Sequence, residues 1–78
     1  MSFNVRLLAP WDPAHADFTT LEEYREWFNR LTGDLLDTQT TNWLNEWMKT
    51  AKQFDVIWLD DESQPCSPEQ ADFQIMRK

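Results

Sequence analysis

Glycine is almost missing from this chain. Gly33 is the only one in 78 residues, which excludes a glycine-rich loop that cradles phosphates with backbone amides. Cysteine is equally scarce. Cys66 stands alone, so no internal disulfide is available, whereas small secreted domains usually carry several. His15 is the only histidine, which leaves little for nucleophilic triads or transition-metal sites. The longest apolar run is four residues, Val56 to Leu59, against the roughly 20 that a membrane helix needs. No charged-then-apolar leader opens the chain. A cytoplasmic protein with no membrane contact is the expectation.

Basic residues are the remaining scarcity. Seven Lys and Arg face 14 Asp and Glu, for a net charge of −7. That field repels nucleic-acid phosphates and anionic lipids and speeds encounter with basic partners. Acidity also serves solubility alone, so the placement of the acids matters more than their sum.

What the chain has in excess is tryptophan, five residues of 78. A chain this short buries only about 60–65% of its unfolded surface, and each aromatic ring adds about 150–250 Å² of buried area. Trp27, Trp43, Trp47 and Trp58 fall on apolar faces and are expected in the core. Trp11, between Pro10 and Asp12-Pro13, follows no periodic face and either folds over the core edge or stands as an exposed anchor.

Phe3, Val5 and Leu7 alternate with Asn4 and Arg6, which predicts a strand over 3–9. Pro10 and Pro13 end it, and residues 10–17 read as a connector. Thr19 and Thr20 with Glu22 and Glu23 form a capping box. Leu21, Tyr24, Trp27, Phe28 and Leu31 recur at helical spacing, and Gly33 is a left-handed stop, so a helix is predicted over 20–32. Asp37 or Thr38 caps a second helix over 38–53, with Trp43, Leu44, Trp47, Met48 and Ala51 on its apolar face. Residues 54–60 form a strand with apolar side chains on both sides, which suggests a central place in the sheet. Asp61 to Ala71 is a polar loop, and 72–77 a last strand, completing a long-looped hairpin. The expected fold is α+β, one domain over 1–78, in the order β-α-α-β-β. A three-stranded antiparallel or mixed sheet carries two antiparallel helices on one face.

No catalytic constellation emerges. Cys66 and His15 lie in separate proline-flanked loops with no spacing that joins them. The acids at Asp60, Asp61 and Glu62, with Glu69 and Asp72 across the loop, are consecutive and lack the glycine of a calcium loop. No metal and no cofactor is therefore expected. Stacking of bases on the aromatic stripes would need a basic groove, and the cations are scattered among acids.

The leading expectation is a non-enzymatic protein-binding module, an inhibitor or adaptor acting through a carboxylate-rich surface. Its contacts are placed at Asp60, Asp61, Glu62, Glu22, Glu26 and Trp11, and its partner is a basic surface on a nucleic-acid-handling protein, with no direct nucleic acid. In size, charge and compactness the chain resembles the short acidic accessory proteins of phages and mobile elements, anti-CRISPR and anti-restriction proteins among them. The local likeness, Phe18 to Phe28, is a generic capped amphipathic helix and identifies no family. The alternative is a self-assembling module, a homodimer through an uncovered sheet face to which Leu8, Ile57, Leu59 or Met76 project. A third reading is a small metal-dependent hydrolase with its ion in the 60–72 loop.

Overall fold

The structure, a computed structural model, describes residues 2–8 and 14–78. Its elements in chain order are β1 (Phe3–Leu7), β2 (His15–Phe18), α1 (Leu21–Thr32), α2 (Thr38–Thr50), β3 (Val56–Leu59) and β4 (Phe73–Arg77), with a 3₁₀ turn at Pro68–Gln70. The strands form one antiparallel sheet in the order β2-β1-β4-β3. The class is α+β.

Two expectations are corrected. The sheet has four strands rather than three, and the chain order is β-β-α-α-β-β. The added strand, His-Ala-Asp-Phe, lies in the expected connector. It is too short to show a period by itself, yet Phe18 falls opposite Phe3 and Ala16 opposite Val5. The middle strand is also different. β4 sits between β1 and β3, which leaves β3 at an edge. The loop after β3 folds back along its free edge. The Cys66 amide donates to the Trp58 carbonyl at 3.0 Å, and the Asp60 amide to the Gln64 carbonyl at 2.9 Å. This pairing blunts an edge that would otherwise be open.

Alternation along the strands divides the sheet cleanly. Phe3, Val5, Phe18, Leu59, Phe73 and Ile75 point inward and are buried. Both helices cover that face. Trp27 meets Phe73 edge-on at 5.9 Å, Phe28 lies 5.7 Å from the same ring, Tyr24 lies 5.4 Å from Phe18, and Trp47 lies 5.6 Å from Phe3. Trp27, Trp43 and Trp47 pack against the core but remain half-buried. Trp58 does not belong to it, a further correction. One residue from Leu59, it points to the opposite side of the sheet.

Local chemistry sets the helix ends. The Thr20 hydroxyl accepts from the Glu23 amide at 3.4 Å, and the Glu23 carboxylate reaches back to the Thr19 amide at 3.2 Å. Gly33, at φ 79, ends α1, its amide bonded to the Asn29 carbonyl at 2.8 Å. Asp37 caps α2 by accepting from the Thr40 amide at 2.6 Å. α2 stops at Thr50, short of residue 53, because Ala51 turns extended and its carbonyl accepts from the Arg77 guanidinium on β4. The strand expected from residue 54 starts at Val56, since Phe54 sits in a turn closed by the Asp55 amide to the Lys52 carbonyl at 2.9 Å.

Candidate functional site

The acidic loop after β3 is built from its own first residue. Asp60 Oδ1 accepts from the Glu62 amide at 2.9 Å and the Gln64 amide at 3.0 Å, and the Asp60 carbonyl accepts from the Ser63 amide at 3.0 Å. Ser63 takes a left-handed conformation, φ 61, and is completely buried. Its hydroxyl lies 2.9 Å from that of Tyr24 on α1. Gln64 donates to the buried Thr40 hydroxyl on α2. The loop is therefore tied to both helices, and Asp61 and Glu62, both exposed, project from a fixed base.

Opposite this base lies the link between the helices. Asp34 and Asp37 join Asp61 and Glu62 around a concavity of about 370 Å³, with Phe28, Leu36, Thr40 and Gln64 in its walls. Leu36 is buried, while its neighbour Leu35 is 78% exposed. Leu35 also lines an adjoining hollow of about 410 Å³ with Glu22, Arg25, Glu26, Asn29 and Arg30. A belt of carboxylates thus runs from the outer side of α1 past Leu35 to the loop. Among the described residues the ion pairs are Glu46 with Lys49 at 3.7 Å and Asp17 with Lys78 at 2.7 Å, both elsewhere.

Four of the six residues expected to make contacts lie on this belt: Asp61 and Glu62 at one end, Glu22 and Glu26 at the other. They do not share one hollow, and Arg25 and Arg30 interleave with the glutamates. Asp60 is at the base of the loop with its carboxylate occupied by backbone amides. Trp11 lies outside the described residues. Leu35, Asp34 and Asp37 were not selected from sequence. The available signal was the pair Leu35-Leu36 in a link too short to bury both.

The Asp37 carboxyl is held below the ordinary aspartate range by the Thr40 amide and hydroxyl that bond it. Asp17 is lowered likewise, by Lys78 and then Asn4. The Cys66 thiol moves the other way. Desolvation raises it, and the charges of Asp60 and Asp72 add to the effect, which disfavours the thiolate that a nucleophile requires. Cys66 flanks β3 and His15 lies on β2, at opposite edges of the sheet. Three strand spacings separate those edges, about 14 Å. Among the described residues no three His, Cys, Asp or Glu side chains gather into a metal-ligating group, and no helix is long and apolar enough to cross a membrane.

No family model, curated protein or solved structure matches this chain.

Proposed function

We propose that this protein is a non-enzymatic binding module that engages a basic protein surface through the belt from Glu22 and Glu26 past Leu35 to Asp61 and Glu62. One observation carries the reading: the helix link and the β3 loop bring Asp34, Asp37, Asp61 and Glu62 around one concavity, with the exposed Leu35 on its rim. Carboxylates beside an apolar side chain suit a cationic partner, with the charges steering approach and the leucine adding area that leaves water. The loop anchored through Ser63 and Gln64 keeps the acids in place before binding, which reduces the entropy lost on association. A row of carboxylates meets the basic groove of a nucleic-acid-handling protein by the electrostatics that phosphates use. Inhibitors and adaptors of the phage or mobile-element anti-defence type, anti-CRISPR proteins included, fit that description in size and charge.

The test is reversal of Asp61 and Glu62 to Lys in a bait for host lysate, identified by mass spectrometry. Asp60 is left intact because its carboxylate holds the loop together. The expected capture is of basic nucleic-acid-handling proteins, weakening steeply with salt and lost from the variant. Capture unchanged by both salt and charge reversal overturns the reading.

A further inference from the structure

Among the described residues no helix packs on the side of the sheet away from α1 and α2, and the register lays its side chains out in rows. One row runs His15, Arg6, Gln74, Trp58 across β2, β1, β4 and β3; the row beside it runs Asp17, Asn4, Met76, Val56. Its charge differs from that of the rest of the molecule. Asp17 is already matched by Lys78 at 2.7 Å and by the Asn4 amide at 2.9 Å. Arg6 and His15 are exposed and make no ion pair among the described residues. In a chain of net charge −7, two copies meet with least repulsion through this face. It carries Trp58, Met76 and Arg6 and no Glu, residue types that protein interfaces favour.

The rows also suit a twofold axis. A line along the strands between β1 and β4 has Arg6 and Gln74 one step to either side, and His15 and Trp58 at the edges. A twofold along that line sets Arg6 of one copy over Gln74 of the other, a guanidinium on an amide carbonyl, and His15 over the Trp58 indole. We infer that the outer sheet face is the interface of a twofold homodimer centred on the row His15–Arg6–Gln74–Trp58. Ile57 and Leu59, two residues expected to project to such a patch, point inward instead, while Leu8 and Met76 are half-buried. Four strands of four or five residues cover about 19 by 17 Å, less than half of the roughly 800 Å² per partner of a standard interface. The dimer is therefore weak and concentration-dependent, and the acidic belt on the helical side stays free in it.

Sedimentation equilibrium from about 1 to 500 µM tests the inference. The mass is expected to rise with concentration from that of one chain towards that of two. Arg6→Glu and Gln74→Arg, at exposed and half-exposed positions, should each weaken the dimer about tenfold. An equimolar mixture of the two variants should recover it, because Glu on one copy then faces Arg on the other while the second contact stays native. Circular dichroism of each variant confirms that the fold persists. A monomer at every concentration overturns the inference, as does a dimer indifferent to both substitutions or not recovered by mixing. A monomer in which Arg6→Glu abolishes binding of a single-stranded thymidine 12-mer overturns it in favour of nucleic acid on this face.

Discussion

The hydroxyls of Tyr24 and Ser63 lie 2.9 Å apart, both fully buried, though 39 positions separate them in the chain. One belongs to the first helix and the other to the loop that presents Asp61 and Glu62. Removal of either hydroxyl leaves a buried polar partner unsatisfied, which costs about 1–3 kcal/mol. Tyr24→Phe and Ser63→Ala should each lower stability in urea by that order, and the double variant by less than their sum. Additive losses in the double-mutant cycle would mean that the two hydroxyls do not act as a pair.

Burial pushes the Tyr24 phenol up to about 12 from an ordinary value near 10, with the Ser63 hydrogen bond opposing part of the rise. The folded chain then keeps this proton in a range where the unfolded chain has released it. Its contribution is complete below about pH 10 and is lost as pH rises towards 12, for a total of about 2–3 kcal/mol. Urea midpoints measured across this window should fall with pH, and the slope should be shallower in Tyr24→Phe. An equal slope in both proteins refutes the assignment.

Asp37 works at the acid end. Its lowered carboxyl stabilises the fold above the ordinary aspartate range, and that contribution disappears as pH falls through the depressed folded value. Asp37→Asn keeps a capping oxygen but removes the titration, so it should stay near wild type at neutral pH and lose less on acidification. Asp37→Ala should be weaker at neutral pH as well. Helical circular dichroism during urea titration at pH 7 and pH 3 separates the two.

Two backbone positions predict opposite signs. Gly33 is left-handed at φ 79 and its absent Cβ would meet nothing within 4 Å, so Gly33→Ala should cost about 1 kcal/mol through backbone conformation alone. Phe54 occupies φ 70 while 67% exposed, in a turn position where glycine or asparagine is usual. Phe54→Asn should raise stability by about 0.5–1 kcal/mol, because it relieves strain and gives up little buried area. A thermal melt that falls for Phe54→Asn would show that the exposed ring contributes packing.

Much of the helical layer was legible because its signals are local. Thr20 and Glu23 sit within one turn of each other, Gly33 ends its own helix, and Leu21, Tyr24 and Phe28 share a face by spacing alone. The last strand and the long-looped hairpin were legible for the same reason. β2 was not, since four residues with two apolar side chains carry no period until Phe3 and Val5 stand beside them. Ser63 reads as an ordinary polar loop residue until Tyr24 is placed above it.

The sequence by itself determined the α+β class, the capped helices and an acidic chain with an aromatic core, because propensity, capping and hydrophobic period act over a few neighbouring residues. Only the tertiary structure decided that β4 lies between β1 and β3, that Trp58 faces away from the helices, and that Asp34 and Asp37 meet Asp61 and Glu62. Those outcomes depend on which strand edges pair and on where a loop anchors. Hydrogen bonding and burial settle both between residues far apart in the chain, and no local pattern records them.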